Sequence, residues 1–254
     1  MQLKFWRMQA LRSIHESRRF IRRNTWEKQL AHLQAQGHLI YSGSSHLPEI
    51  ALTFDDGPDP QYTPQILEIL QRYQVKATFF CIGHQVATYP HVVRQVSEAG
   101  HVIGNHTWTH PNLAFLCGSD ILSQIERTSH AIQEAIGAQP LFFRPPYGSF
   151  NSQVLTQACH LGITPIIWNN STEDWARPGT DFIIRRALDS ISNGSIILMH
   201  DGGQEQSQTV EATSIIIEKL QDQGYRFITI QQLIDNLIIK DLRSRLTHSM
   251  LLSS

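Results

Sequence analysis

The strongest constraint on the fold is a regular alternation of short apolar runs with amphipathic stretches, which begins at residue 49. The amphipathic stretches, such as TPQILEILQRY, repeat their apolar residues at helical spacing. A chain that alternates strands and helices, with near-continuously apolar strands, predicts a parallel sheet covered on both faces. The seven predicted strands are EIALTFD (49–55), ATFFCIG (77–83), HVIGNH (101–106), LFFR (141–144), ITPIIWN (163–169), SIILMH (195–200) and RFITI (226–230).

The number of strand and helix units favours a barrel. Seven units within about 190 residues predict an α/β fold, a distorted (β/α) barrel with about seven parallel strands, more than a doubly wound sheet. The first strand is not followed by a Gly-rich phosphate loop, which argues against nucleotide binding.

The charge is distributed unevenly along the chain. Residues 1–48 carry eight Lys/Arg and two Glu, a net charge of +6, which leaves −7 for the remainder of a chain whose total is −1. We therefore predict a basic N-terminal helical extension at 1–47, a main domain at 48–238 and a C-terminal tail at 239–254. The overall charge argues against nucleic acid as a partner.

The N-terminal extension has an amphipathic pattern with two interpretations. Its apolar residues fall on one side of a helix, with most of the basic residues on the other. Peripheral contact of residues 1–30 with an anionic membrane is one interpretation, and a helix docked on its own domain is the other. The apolar residues are Leu3, Trp6, Ala10, Ile14 and Ile21.

The extension lacks the apolar stretch and cleavage site of a secretory signal, and it lacks a membrane span. The three cysteines, odd in number and without CxxC spacing, favour a reducing compartment. We expect a cytoplasmic or peripheral membrane location, or an extracytoplasmic one if the natural start lies elsewhere.

Polar residues gather at the ends of the predicted strands. In a (β/α) barrel, the carboxyl ends of the strands form the edge where active sites are built. These residues are therefore candidates for one common site. They are Asp55 and Asp56, His106 and His110, Arg144, Asp174 and Trp175, and His200 and Asp201.

The segment HTWTH at 106–110 has the spacing of a metal site. Histidines at i and i+4 lie on one side of a helical turn or a tight loop and can reach one ion. Two histidines and one carboxylate make a catalytic site with an open position, suited to zinc or another divalent ion. Successive residues at a strand end point in different directions, so one of the two aspartates can bind metal while the other stays free.

The remaining polar residues suit proton transfer. The free aspartate would take a proton from a water activated by the metal, and His200 would protonate the leaving atom. Asp174 would tune His200 and Arg144 would keep the aspartate ionised, although each of these three residues alone also suits a structural ion pair. In RPPYG (144–148), two prolines leave the N–H of Tyr147 to face an oxyanion.

Five segments together resemble the polysaccharide deacetylase family, also called the NodB-homology domain or carbohydrate esterase family 4. They are TFDDG (53–57), HTWTH (106–110), RPPYG (144–148), EDW (173–175) and LMH (198–200). The resemblance implies a distorted barrel of the NodB-homology type that hydrolyses N-acetyl or O-acetyl groups on sugars with a divalent metal, usually zinc. The fourth motif departs from the family, because Ser171 stands where an acidic residue is frequent.

The resemblance also implies roles for individual residues. Asp55 would be the general base and His200 the general acid, with Arg144 orienting Asp55, Asp174 tuning His200 and Tyr147 facing the oxyanion. Asp56, His106 and His110 would bind the metal. Pro146, Trp175 and Leu198 would contact the substrate around the acetyl group.

Two other functions stay open from the sequence. One is deformylation or deacetylation of a lipid-linked sugar, or hydrolysis of a cyclic amide, at the cytoplasmic face of a membrane. The other is a non-catalytic carbohydrate-binding protein on the same scaffold. For the deacetylase itself, the sugar can be chitin-like, peptidoglycan, xylan or a glycolipid.

Overall fold

The computed structural model describes residues 25–239. The predicted amphipathic helix lies mostly before residue 25, and the tail lies almost entirely after residue 239, so both stay predictions. The chain divides into two compact units after Leu39. In the first unit, residues 25–35 form a helix, α1. None of the helices between residues 25 and 239 is long and apolar enough to cross a membrane.

The second unit is built on a curved parallel sheet. Its hydrogen-bonded order is β5-β4-β3-β2-β1-β7-β6, and β8 pairs with the start of β1. Every pairing is parallel, which confirms the α/β class and the barrel of about seven parallel strands. The strands are β1 (Glu49–Asp55), β2 (Thr78–Cys81), β3 (Val102–Asn105), β4 (Phe142–Phe143), β5 (Thr164–Pro165), β6 (Asn170–Ser171), β7 (Ile196–His200) and β8 (Arg226–Phe227).

The run at 163–169, predicted as one strand, contains only β5, and β6 begins directly after it. β5 and β6 lie at opposite ends of the sheet order, and only residues 166–169 separate them in the chain. The sheet must therefore curl until its two edges approach each other. Ile40 pairs in parallel with Ile166, and its N–H donates to the Pro165 carbonyl at 2.9 Å, which extends the β5 edge.

Helices cover one face of the sheet. Ile50, Leu52 and Phe54 of β1 join the main apolar core, which includes residues from the helices. The alternate residues Thr53 and Asp55 therefore point to the inner face of the curl. The remaining helices are α2 (Tyr62–Arg72), α3 (Gly83–Thr88), α4 (Pro90–Glu98), α5 (Gly118–Ile136), α6 (Ser152–His160), α7 (Thr180–Asp189), α8 (Ser207–Asp222) and α9 (230–239).

The inner face is apolar towards the amino ends of the strands. Ala51 of β1 and Ile196 of β7 pack there with Ile230 and Leu233 of α9 in a second core cluster. Because this apolar cluster occupies the inner face near the amino ends of the strands, the polar side chains lie on the inner face near the carboxyl ends.

Candidate active site

The site begins where β1 ends. Asp55, the last residue of β1, is buried, and Asp56 follows in a left-handed conformation with φ of 73°. The change of backbone direction sends the two carboxylates to different places. Asp55 contacts Arg144, whereas Asp56 lies beside two histidines.

Asp56, His106 and His110 form the one metal-type cluster found between residues 25 and 239. The Asp56 Oδ1 atom lies 3.4 Å from His106 Nε2 and 3.3 Å from His110 Nε2. This oxygen is buried and has no hydrogen-bond partner. A buried carboxylate oxygen without a donor, between two imidazole nitrogens, fits a divalent cation. Two histidines and one carboxylate leave coordination positions open, and zinc or another divalent ion suits this donor set.

The histidine segment 106–110 is a tight loop and not a helical turn. Thr107 and His110 have left-handed φ values of 67° and 60°. The loop N–H groups bond to side chains: Thr107 donates to Asn105 Oδ1 at 2.8 Å, and Trp108 and Thr109 donate to Gln124 Oε1 at 2.9 and 3.0 Å. These bonds fix the loop without regular secondary structure.

The surroundings favour an ionised Asp56 and a neutral His110. His106 Nδ1 lies 2.7 Å from the Arg144 carbonyl oxygen, which can only accept, so Nδ1 carries a proton and Nε2 is the nitrogen that faces Asp56. Burial would raise the pKa of Asp56, but the adjacent His106 imidazole lowers it to about 2. Burial, and then the charge of His106, lower the pKa of His110.

Arg144 is fully buried and pairs with Asp55. Its Nη1 donates to Asp55 Oδ1 at 2.7 Å and to Thr53 Oγ1 at 2.8 Å. The guanidinium carbon also lies 4.1 Å from the centre of the Phe80 ring. The cation compensates the charge of Asp55 at one oxygen, and the other oxygen, Oδ2, lies 3.7 Å from His106 Nε2. Asp55 is therefore held as an oriented carboxylate next to the metal-type cluster.

His200 and Asp174 form a second acid–base pair. His200 Nδ1 lies 2.9 Å from Asp174 Oδ1, and the His200 backbone N–H donates to Asp174 Oδ2 at 2.8 Å. Thr172 and Thr209 each donate to one Asp174 oxygen at 3.0 Å. Burial alone would lower the pKa of His200, but the hydrogen bond and charge of Asp174, together with the charges of Asp56 and Asp55, raise it to about 9. The imidazole is thus prepared to hold a proton and give it from Nε2.

The predicted substrate residues lie at the same edge with different exposures. Pro146 and Leu198 are buried, and Leu198 belongs to β7. The Tyr147 ring is 67% exposed and lies 4.6 Å, centre to centre, from the His110 ring. Trp175 is 56% exposed in a short 3-10 turn directly after Asp174. The two aromatic side chains are therefore accessible to a ligand.

Strained backbone concentrates around the site. Seven non-glycine residues between 25 and 239 have a left-handed φ, and five of them belong to or adjoin the site. Such conformations persist where the surrounding structure holds them, and they cluster at functional sites. The five are Asp56, Thr107, His110, Tyr147 and Glu173.

Sequence reasoning missed the residues that support the site. Thr53, Thr172 and Thr209 orient Arg144 and Asp174, but a threonine in or near a β-rich run, or in the first turn of a helix, gives no signal of such a role. Phe115 was also missed: it is 86% exposed on a 3-10 turn five residues after His110. An aromatic residue on a turn close to a predicted ligand is the signal that was available.

Comparisons with known proteins point to one family. The polysaccharide deacetylase family model matches residues 42–166. The peptidoglycan-N-acetylglucosamine deacetylase of Bacillus cereus is 38% identical over 204 residues, covering 80% of this chain and 95% of the relative. The chitooligosaccharide deacetylase of a Bradyrhizobium species is 38% identical over 205 residues, covering 76% and 94%.

A solved structure shares the fold. The crystal structure of a CE4 family pseudoenzyme from Bacillus anthracis matches with a TM-score of 0.74 and 36% identity, covering 78% of this chain and 69% of the other. Likeness of fold is therefore compatible with an inactive protein, and activity has to be argued from the site. The extent of the matches to the family model, to two curated deacetylases and to this fold leads to one conclusion: the chain belongs to the polysaccharide deacetylase family.

Proposed function

We propose that this polysaccharide deacetylase is a metal-dependent enzyme that removes the N-acetyl group from N-acetylglucosamine units of peptidoglycan or a chitin-like oligosaccharide. The observation that carries the proposal is the unpartnered Asp56 Oδ1 between His106 and His110, with Asp55 on one side and the His200–Asp174 pair nearby. A divalent ion, zinc before others, would be held by Asp56, His106 and His110. When bound, the ion supplies Lewis acidity to the acetyl carbonyl and to the attacking water.

The two acid–base pairs divide the proton transfers. Asp55, ionised beside Arg144, accepts the proton of the attacking water at Oδ2. His200, protonated through its contact with Asp174, donates from Nε2 to the leaving nitrogen of the sugar. The backbone N–H of Tyr147 would face the oxyanion. The reaction gives acetate and a free amino sugar.

The accessible aromatic rings support a sugar substrate. Tyr147, Trp175 and Phe115 lie on loops at the carboxyl edge of the sheet, and all three are more than half exposed. Aromatic faces pack against the apolar faces of sugar rings, and their burial by a ligand is favourable. The substrates named for the two relatives, peptidoglycan and chitooligosaccharide, supply the choice of sugar.

The geometry of the two acid–base pairs argues for catalysis over binding alone. Both acid–base pairs have short, charge-assisted contacts, at 2.7 and 2.9 Å. A protein that only binds a glycan has no use for a carboxylate and an imidazole oriented beside a metal-type cluster. We therefore favour an active enzyme over the non-catalytic carbohydrate-binding protein.

The proposal is tested by acetate release from peptidoglycan fragments and chitin oligosaccharides, with metal removed and then with zinc restored. We expect release that depends on zinc and disappears in the isosteric variant His200→Gln. The same experiment on an N-acylated glycolipid tests the alternative of a lipid-linked sugar. Zinc binding without acetate release from any glycan would contradict the proposal.

A further inference from the structure

One buried carboxylate at the active-site edge has no part in the proton transfers. Asp201 directly follows His200 and is 1% exposed. Its Oδ1 atom is buried and has no hydrogen-bond partner. A buried carboxylate carries a large desolvation cost, so its retention needs a compensating interaction.

Asp201 bonds to both sides of the turn that carries Asp56. Its backbone N–H donates to the Asp55 carbonyl at 3.0 Å, before the turn. Its Oδ2 accepts from the Thr63 hydroxyl at 2.5 Å, after the turn. Thr63 is fully buried in the first turn of α2, and its hydroxyl also accepts from the Asp59 N–H at 2.9 Å. A single residue thus joins the end of β1 to the beginning of α2.

The packing between Asp201 and the turn is close. A Cβ atom added to Gly57 would overlap both carboxylate oxygens of Asp201, at 2.5 Å for Oδ1 and closer for Oδ2. A Cβ added to Gly203 would lie 2.9 Å from Asp56 Oδ2. The backbone at Gly57 and the backbone at Gly203 each approach a carboxylate of the opposite side to a distance that only glycine permits.

We propose that Asp201 and Thr63 form a clamp that positions Asp56 for metal binding. The proposal rests on the metal site of the proposed function and makes Asp201 a positioning residue. Asp56 has a left-handed φ of 73°, a conformation that persists only where its surroundings hold it. Without the clamp, the turn relaxes and the Asp56 carboxylate leaves the two histidines.

The test is zinc affinity, measured by competition with a chromophoric chelator. Thr63→Val keeps the shape of the side chain and removes the hydroxyl, and we expect a loss of about tenfold to a hundredfold in zinc affinity. Thr63→Ser keeps the hydroxyl, and we expect it to retain most of the affinity. These two variants separate the hydrogen bond from the packing.

Thr78→Val is the matched control. Thr78 is fully buried and its hydroxyl accepts from the Ile230 N–H at 3.1 Å, but it lies at the amino end of β2. We expect this variant to lower the melting temperature and to keep wild-type zinc affinity. Equal zinc affinity in Thr63→Val and the wild type, or an equal loss in Thr78→Val, would overturn the clamp.

A double-mutant cycle tests whether Thr63 acts through Asp201. We expect Asp201→Ala to lose about as much zinc affinity as Thr63→Val, and the double variant to lose little more. If the double variant lost zinc affinity by the product of the two single losses, the clamp would be overturned. The failure of the proposed function would look different, because the wild type would then bind zinc and release no acetate.

Discussion

At the scale of single residues, the pairing of Asp55 with Arg144 keeps Asp55 for proton transfer and leaves metal binding to Asp56. Asp55 keeps one oxygen on Arg144 and leaves the other for the attacking water. We expect Asp55→Asn to lower kcat by about a hundredfold to ten-thousandfold, because the amide cannot accept the proton. The measurement is acetate release at saturating zinc, where wild-type kcat would show that Asp55 is not the base.

Asp174 sets the pH range over which His200 can donate. Burial would lower the pKa of His200, but Asp174 raises it to about 9, so the protonated form persists into alkaline solution. We expect Asp174→Asn to move the alkaline limb of the kcat profile downwards from near pH 9 towards the ordinary value of about 6.5, besides lowering kcat. Asp181→Asn, on the exposed first turn of α7, is the control. An unmoved limb would remove Asp174 from this role.

At the scale of elements, the contact between β2 and β3 contains a histidine that must stay neutral. His101 Nδ1 accepts from the Ala77 N–H at 3.1 Å, and the ring packs on its edge against Phe79. Burial, and then the charge of Lys76, lower the pKa of His101 to about 4. As the pH falls, His101 therefore takes up a proton in the unfolded chain before it does so in the folded chain.

The expected result is a loss of stability in acid. The contribution of His101 to the free energy of unfolding is complete above about pH 6.5. It is lost as the pH falls from about 6.5 to about 4, and the loss is at most about 3 kcal/mol. The measurement is urea unfolding of the metal-free chain from pH 7.5 to 4, for the wild type and His101→Asn. The free energy of unfolding should fall less steeply in the variant, and parallel curves would contradict the assignment.

A feature could be predicted from the sequence where it depends on neighbouring residues, and not where it depends on residues that are distant in the chain. Asp55, His106 and His200 were predicted because each ends an apolar run, and the run itself shows where the strand stops. The shortening of the predicted strand 163–169 to β5, with β6 directly after it at the other end of the sheet, was not predictable, because it depends on pairing with Ile40 and on the curl of the sheet. The hydroxyl of Thr209 and the amide of Gln124 act on residues that only the tertiary fold brings to them.

At the scale of the whole molecule, metal binding should stabilise the fold. An ion that binds only the native chain adds about 2.7 kcal/mol at a hundred times its dissociation constant. For a domain of this size, we expect the melting temperature to rise by about 5–10 °C with zinc. His110→Ala should lose this shift, whereas His130→Ala, an exposed residue of α5, should keep it. An equal shift in His110→Ala would place the ion elsewhere.

The basic N-terminal segment allows a separate test of location. We propose that residues 1–30 contact anionic membranes, on the basis of the +6 charge of the first 48 residues. The full chain should then sediment with vesicles of anionic lipid and not with neutral ones. The variant that combines Arg18→Glu, Arg19→Glu, Arg22→Glu and Arg23→Glu should lose this sedimentation and keep the acetate release from a soluble glycan. Equal sedimentation of the full chain and this variant with anionic vesicles would contradict the membrane contact and favour a helix docked on its own domain.

The ladder between β1 and β7 has a consequence for how this enzyme can vary. Asp55 and His200 are direct partners in that ladder, on adjacent strands. Their separation is therefore set by the backbone spacing of a sheet and not by loop length. Insertion or deletion of one residue in either strand would turn its reactive side chain to the helix-covered face. Changes of length should be confined to the loops, so that substrate preference can diverge between relatives while the geometry of proton transfer is inherited unchanged.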